Sequence, residues 1–491
     1  MKPSKSAPAL TTASVRVLRG LGAAHPGRAD QIADQLAGAI ERGILGPGQR
    51  LPAEASLAAQ LDVSTLTLRE ALAALRDRGL ITTRRGRTGG SFVAARPTEL
   101  ARTDGLARTS ILRLREIADL RRALLGSTAA LAAERVSESE LVALSRRLDR
   151  LAGAETSAAR HRADSELHVE LATAAQSPRL GQEEGRLRVE LGDLWWSLSE
   201  PAQQEAAIAS RRELVEALGS GDQAMARAVA ERQVDRESDL VLRWRIELYR
   251  RQGVEEGTGA WTRLSDDLSA IFAALRLLAD DYLASYRGHE AGYQLTDIAA
   301  LRPRIADILD DFSELAVGTG VVPAPGVLAD APYWLEWWWR EPAGAIRPLH
   351  VNLDPDEPDF FDYPHNEWFD VPVSRRSPHV AGPYVDYVCT NEYTFTLSVP
   401  VHDGDQVLGV VAADILCDRV EQLVMPTLCA EEAPAALVNA DGRVIAATTA
   451  SVEPGVPLPS SAVRTAGRDR PADGGLAELR AVTGWDVVPL G

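Results

Sequence analysis

Residues 51–93 constrain this chain more than any other stretch. They read LPAEASLAAQLDVSTLTLREALAALRDRGLITTRRGRTGGSFV. Leu57, Ala58 and Leu61 fall on one face of a short helix that starts at Glu54, and Asp62-Val63 makes a turn. Ser64 is placed to cap a second helix by accepting an orphan backbone N–H. Leu68, Ala71, Leu72 and Leu75 then recur at helical spacing. Gly79 stops the helix, as a glycine at the C-terminal cap does. Leu80 to Thr83 and Ser91 to Val93 read as paired strands around a basic, glycine-rich turn. The pattern is a helix-turn-helix followed by a β-wing.

In such a module the second helix enters the major groove with its first turn toward the base edges. That turn carries Ser64, Thr65, Leu66 and Thr67, with Arg69 behind it. Arg84, Arg85 and Arg87 in the wing face phosphates or the minor groove, and glycines such as Gly90 let the backbone come close. The expected partner is double-stranded DNA. A winged helix can also serve protein contact, with Arg69 in a surface ion pair. The agreement of turn, cap, helix and basic wing favours DNA.

These residues resemble the GntR family of bacterial transcription regulators. The matching positions are Leu51-Pro52-Ala53-Glu54, Leu57-Ala58, Val63-Ser64, Arg69-Glu70-Ala71-Leu72, Leu75, Gly79-Leu80 and the segment from Gly86 to Val93. The family usually has arginine where this chain has Ala55 and Thr65. Both arginines touch DNA in relatives, so the resemblance implies the fold and an altered operator.

The chain has 491 residues, 45% hydrophobic, enough for two to four domains with ordinary cores. No apolar run approaches the roughly eighteen residues of a membrane span. The start, Met-Lys-Pro-Ser-Lys-Ser, lacks the apolar core of a signal peptide, so a cytoplasmic location is expected. Cys389, Cys417 and Cys429 give no disulfide framework and no CxxC. The net charge of −17 is unevenly distributed. Residues 1–100 carry 14 basic and 8 acidic groups, net +6, and residues 251–491 carry 16 and 37, net −21. The basic end suits a polyanion and the acidic end repels one. The acidic surface either favours cationic ligands or only keeps the domain solvated.

Residues 1–25 read as a disordered tail and 26–96 as the winged helix, whose first helix spans about Arg28 to Arg42 with Ile32, Leu36, Ala39 and Ile40 inward. A linker runs from Arg96 to Arg108, and residues 109–250 are almost all helical. Breaks near Ser137, Gly153, Ser177-Pro178 and Gly219-Ser220-Gly221 predict a bundle of five to seven helices. This part resembles the all-helical FCD effector domain of FadR-like GntR regulators. The resemblance rests on Asp119-Leu120-Arg121, Leu131 to Arg135, Asp164 to His168, Ala174-Ala175 and Gly221-Asp222. In many relatives an Asp and a His four residues apart join two later histidines around a metal. Asp164 and His168 match the first pair, and the later positions fall on Arg211 and Gln233. An arginine cation cannot ligate and two ligands are too few, so a degraded site without metal is expected, and no cofactor.

Gln252 to Gly259 reads as a polar linker, and residues 259–491 as a further domain. A long amphipathic helix runs from Trp261 to Tyr286 with Leu264, Leu268, Ile271, Phe272, Leu275, Leu278 and Tyr282 in one stripe. That stripe forms either a dimer seam or a packing face for its own sheet. A second helix is expected from Leu295 to Leu315, then a short strand at Gly320 to Val322. Strands at Tyr393 to Val401 and Val407 to Ile415 flank an Asp403-Gly404-Asp405 turn, and another hairpin surrounds Asp441-Gly442.

The set resembles a Cache-type sensor: the leading helix, Glu367-Trp368-Phe369, Gly382 to Asp386, Thr394 to Thr396, Val399 to Val401 and Leu408 to Ile415. The resemblance implies a PAS-like antiparallel sheet that holds a small ligand under aromatic loops. Its ligand positions fall here on Trp368, Phe369, Tyr384, Asp386 and Asp414; Trp338 is added for its aromatic face. Amino-acid sensors of this type place an arginine where this chain has Asn366. An amide cannot make that charge-assisted fork. Aromatic faces with carboxylates suit a cationic amine or amino-acid-like ligand. The other reading makes these aromatics packing and Asp414 a loop acceptor.

No nucleophile elbow, Walker motif or dinucleotide motif is present. The expected fold is multidomain α+β: winged helix-turn-helix, helical bundle, and PAS-like sheet behind a long helix. The expected function is a ligand-responsive regulator, dimeric and repressing, that is not an enzyme. The alternative is a metabolite-binding sensor or enzyme whose winged helix is vestigial.

Overall fold

A computed structural model describes residues 32–33, 36–37, 50–61, 63–77, 80–84, 90–94, 109–191, 194–256, 259–289, 292–341, 344–431, 433–459 and 474–490. The expected tail (1–25), Ala39, Ile40, Arg85, Arg87 and the whole 96–108 linker lie outside the described residues. The chain divides into two compact units, Met1–Ala107 with Leu114–Trp244, and Arg108–Arg113 with Arg245–Gly491.

In the first unit, α1 (Glu54–Leu61) and α2 (Thr65–Asp77) precede the strands β1 (Ile81–Arg84) and β2 (Gly90–Val93). The strands pair antiparallel, Ile81 opposite Val93 and Arg84 opposite Gly90. Leu57, Ala58, Leu61, Leu68, Ala71, Leu72 and Leu75 form one core with Ile32, Leu36, Ile81 and Val93. Helical spacing places the helix residues of this set inward; Ile81 and Val93 join them from the wing strands.

Seven helices follow among the described residues: α3 (Ile111–Arg135), α4 (Glu138–Ala152), α5 (Ser157–Ala174), α6 (Pro178–Leu191), α7 (Leu194–Leu198), α8 (Pro201–Ser220) and α9 (Gln223–Glu256). The expected breaks are their boundaries. Ser137 opens α4 with a full capping box: its hydroxyl accepts from the Glu140 N–H, and Glu140 accepts from the Ser137 N–H. Such a cap contributes about 1 kcal/mol. Gly221 closes α8 in the left-handed region at φ 73°, where a Cβ is unfavourable. Leu125, Leu144, Leu167, Leu171, Trp196, Leu214 and Val229 are buried together.

The expected linker from Gln252 to Gly259 is helical instead as far as Glu256. Gly253 is not a breaker here. A Cβ on it would lie 2.1 Å from the Pro426 carbonyl oxygen, so the missing side chain serves a close approach.

The second unit begins its sensor part with α10 (Ala260–Arg287). Its apolar stripe packs on its own sheet, where the Tyr282 hydroxyl donates to the Leu408 carbonyl at 2.9 Å. The expected helix over Leu295 to Leu315 is two, α11 (Leu295–Ala299) and α12 (Arg302–Asp311), with Pro303 in the first turn of the second. The strands are β3 (Ala316–Pro323), β4 (Glu336–Arg340), β5 (Ile346–Pro348), β6 (His379–Asp386), β7 (Glu392–Asp403) and β8 (Gln406–Leu416). Their antiparallel sheet has the order β5-β4-β3-β8-β7-β6. The expected short strand at Gly320 thus spans eight residues, all buried, because β3 is central and covered on both faces. A helix not foreseen, α13 (Glu367–Arg375), lies in the aromatic segment. Helix α14 (Cys417–Cys429) follows β8 directly. A three-stranded sheet of β9 (Ala435–Val438), β10 (Val444–Ala447) and β11 (Asp486–Pro489), with α15 (Gly474–Thr483), ends the chain.

Candidate nucleic-acid interface and effector site

Ser64 does what its position requires. Its Oγ accepts from the Thr67 N–H at 3.1 Å and bonds the Thr67 hydroxyl at 2.8 Å. This cap leaves Thr65 and Leu66 exposed at the start of α2, Leu66 at 66%. A leucine so exposed at a helix N-terminus offers a methyl contact to a thymine. Arg69 donates from Nε to Glu54 at 2.7 Å, with both side chains largely in solvent. Such a pair contributes little to stability and is easily exchanged for a phosphate. Arg84 lies over the Phe92 ring at 4.9 Å. Gly90, at φ +143°, leaves room for Arg50, whose Nε would be 2.9 Å from a Cβ there. Arg50 was not singled out from the sequence; its bridge to Phe92 brings it to the wing, which no periodicity reveals.

In the bundle, Asp164 on α5 and Arg211 on α8 form a buried fork. Arg211 Nε donates to Asp164 Oδ1 at 2.7 Å, and Nη2 to Oδ2 at 3.2 Å. Nη2 also donates to Glu237 at 2.5 Å, and Arg121 donates to Glu237 at 3.1 Å. Trp196 Nε1 gives Asp164 a further bond at 3.2 Å. Burial opposes the Arg211 charge, but the carboxylates of Asp164 and Glu237 outweigh it and hold its pKa above the ordinary value.

His168 stands 3.8 Å from Asp164 and 3.5 Å from Glu184. Gln233 spends its amide N–H on the Ser210 carbonyl at 2.9 Å. This donor set does not fit a metal. Both Asp164 oxygens already face a guanidinium, and a second cation there would meet a fixed positive charge. A cavity of about 240 Å³ lies beside Arg211. Trp195 Nε1, Ser210 Oγ and Gln233 Oε1, from residues lining it, are buried without hydrogen-bond partners.

The candidate effector site is a smaller cavity, about 30 Å³, between the sheet and the aromatic segment. Trp368, Tyr384, Asp386 and Asp414 line it together, with Trp337, Phe361, Cys389 and Thr396. Asp414, on β8 and 5% exposed, accepts from the Thr396 hydroxyl at 2.7 Å, and Thr396 in turn bonds the Tyr384 hydroxyl at 2.5 Å. Burial first, and the nearby Asp386 second, push the Asp414 carboxyl well above the ordinary carboxylate range. Asp386 is otherwise engaged. It accepts the backbone N–H groups of Val388, Cys389 and Thr390 at 3.1–3.2 Å, so it builds the turn. Donor atoms of Asp386, Cys389 and Asp414 lie within 4.8 Å of one another. Burial pushes the Cys389 thiol up, away from the thiolate a metal needs.

Two expected ligand residues fall elsewhere. Trp338 donates to Glu336 at 2.7 Å beneath the Arg302 guanidinium, and is absent from the cavity wall. Strand alternation turns it away and turns Trp337 in. Gly318 makes space for that indole, since a Cβ would lie 2.9 Å from Trp337 Nε1 and 3.4 Å from Asp414 Oδ2. Phe369 packs behind the wall against Tyr363 and Trp368, centroids 5.3 and 6.1 Å away. Asn366 takes the N-cap position of α13 without a side-chain bond to the helix, outside the cavity lining.

Comparison with known families matches residues 28–93 to bacterial regulatory proteins of the gntR family and 116–236 to the FCD domain. Residues 350–422 match the first PDC sensor domain of methyl-accepting chemotaxis-like proteins. A putative HTH-type transcriptional regulator, RmpR of Mycobacterium gastri, is 41% identical over 221 residues, 44% of this chain and 76% of the relative. A putative L-lactate dehydrogenase operon regulatory protein of Escherichia coli is 47% identical over 64 residues, 13% of this chain and 24% of that protein. An HTH-type transcriptional regulator of Mycobacterium tuberculosis is 34% identical over 145 residues, 28% and 56% of the two chains. These are regulator and sensor families, so the protein is not an enzyme. No helix among the described residues is long and apolar enough to cross a membrane. The chain belongs to the GntR family of DNA-binding, ligand-responsive transcription regulators, with an FCD domain followed by a PDC-type sensor.

Proposed function

We propose that the protein is a cytoplasmic homodimeric repressor whose sensor cavity takes a cationic amine or amino-acid-like effector. The observation that carries this reading is Asp414: a buried carboxyl with no cationic partner among its hydrogen bonds, facing Trp337, Trp368 and Phe361. Aromatic faces and one carboxylate are the elements of ammonium recognition. The empty space admits only about two waters. An effector therefore displaces the aromatic segment between β5 and α13, and that displacement is the signal. A dimer reads two half-sites about 34 Å apart, so a small change in the spacing of two α2 helices alters affinity. Isothermal calorimetry against putrescine, choline, γ-aminobutyrate and succinate tests the ligand class. Tight succinate binding that survives Asp414→Ala rejects it.

A second reading has its own observation. The larger cavity beside Arg211, with three unpartnered polar atoms, suits a small polar metabolite in the bundle. The same titrations on Ser210→Ala and Gln233→Leu separate the two, since only bundle binding depends on those residues.

Leu66→Glu brings a carboxylate to the groove face of α2 and is expected to weaken retardation of the chain's own promoter DNA by about 100-fold, as two lost base contacts would. Arg84→Ala weakens binding more evenly across sequences and lowers the log–log salt slope by about one. A slope near zero in the unaltered protein contradicts phosphate contact.

A further inference from the structure

Glu421 lies one turn into α14, the helix that leaves the Asp414 strand without an intervening loop. Its carboxylate is 1% exposed. One oxygen accepts the Ile111 backbone N–H at 2.6 Å and the other the Leu112 N–H at 2.8 Å. Ile111 and Leu112 open α3, and their N–H groups belong to the first turn, which has no partners within the helix. The Tyr249 hydroxyl, near the end of α9, reaches the first oxygen at 3.4 Å. Around the same point Arg245 on α9 donates to the Thr109 carbonyl at 2.8 Å, and Gly253 lies against the Pro426 carbonyl of α14. All these residues belong to one compact unit. Helices α3 and α9 are also the outer two segments of the FCD match, which spans residues 116–236.

We infer that Glu421 is the coupling residue through which the state of the sensor cavity is passed to α3 and α9. The inference rests on the preceding reading that the sensor takes an effector which controls DNA binding. Its physical basis is stiffness and short bonds. Six residues separate Asp414 from Glu421, all in β8 or α14. A shift of β8 at the cavity is handed to α14 as a rigid displacement. Hydrogen bonds of 2.6–2.8 Å have no slack, so a displacement of about 1 Å releases the first turn of α3. Ser110 caps the Arg113 N–H locally at 3.0 Å, but the acceptor for the Ile111 and Leu112 N–H groups is supplied 310 and 309 residues away in sequence, so those first two positions of α3 depend on the sensor.

The charge of Glu421 provides a second readout. Burial pushes its pKa up to about 7, against the pull of the Ile111 and Leu112 N–H groups and of Arg245, while Asp418 pushes the same way as burial. The other titratable groups around it are Tyr249 and Cys429, both held protonated by burial. Its carboxyl thus changes charge near neutral pH, and a glutamine in its place cannot.

The test uses the full chain. In Glu421→Gln one of the two N–H groups meets an amide NH2 in place of an acceptor. Hydrogen exchange at the Ile111 and Leu112 amides is expected to rise about tenfold, the loss of a helix cap. Affinity for promoter DNA, measured by retardation, is expected to shift by about tenfold or more, and its change between pH 6 and pH 8 to flatten relative to the unaltered chain. Faster exchange with unchanged DNA affinity and pH profile overturns the inference and leaves Glu421 as a cap alone. Unchanged exchange overturns it as well. If the unaltered chain retards no DNA, the regulator reading fails first, and the inference falls with it. Should Glu421→Gln not fold, Tyr249→Phe removes only the third partner, and an unchanged pH profile in that variant counts against the coupling.

Discussion

Arg211→Met is expected to destabilise the helical bundle by about 3–5 kcal/mol, the cost of taking the guanidinium fork from buried Asp164 and leaving Glu237 to Arg121. Asp164 is 1% and Glu237 8% exposed, and Arg211 supplies three of their hydrogen bonds. Methionine keeps much of the volume, so the loss reads charge and not a hole. Chemical denaturation followed by helical circular dichroism measures it, and a loss under about 1 kcal/mol rejects the guanidinium as the organising charge. A companion substitution makes the point by gain. Arg211→His recreates an Asp, His, His set with Asp164 and His168. The melting temperature of that variant is expected to rise with micromolar Zn²⁺ or Ni²⁺ and fall again with a chelator, while the unaltered chain responds to neither. A melting temperature of the unaltered chain that climbs with Zn²⁺ contradicts the assignment.

The second large effect concerns pH. Asp414 is held well above the ordinary carboxylate range by burial and by Asp386. The sign follows from the direction of the shift. A carboxyl raised in the folded chain contributes stability that is fully present below its unfolded value and lost as pH rises through the folded one. The empty cavity therefore favours the neutral acid, whereas a cationic effector requires the anion. Binding then releases a proton, and affinity rises with pH by up to about tenfold per unit until Asp414 is ionised without help. Calorimetry of one amine in buffers of different ionisation enthalpy counts the proton. An affinity that is flat from pH 5 to pH 8 is incompatible with a charge partnership between Asp414 and the effector. Asp414→Asn is expected to abolish the pH dependence together with most of the affinity.

How much of this was legible follows from where the information lies. The winged helix could be read almost residue by residue. Leu57 to Leu75 keep helical spacing, Ser64 is a local cap, and the wing is one hairpin. The bundle's boundaries were legible too, because Ser137, Gly153 and Gly221 act on their own neighbours. What failed was tertiary. Gly253 looked like a break, and is a contact with a helix 173 residues later. Trp338 looked like Trp337, and only the register opposite Thr319 and Gly320 decides which indole enters the cavity. Asp386 matched a ligand position, yet its oxygens close a turn, a use invisible without the backbone of residues 388–390. Asp414 and Trp368, carried by a resemblance, line one cavity, whereas Thr396 and Cys389 line it without having been read as ligand positions.

Arg211 has one more consequence. Relatives that hold an ion at the heart of the bundle carry a part that the surroundings can supply or withdraw. Here the corresponding charge is covalently attached, so it survives dialysis, starvation and chelation alike. A regulator built this way has one fewer exchangeable input at its centre, which leaves the appended sensor domain as the part open to a small molecule.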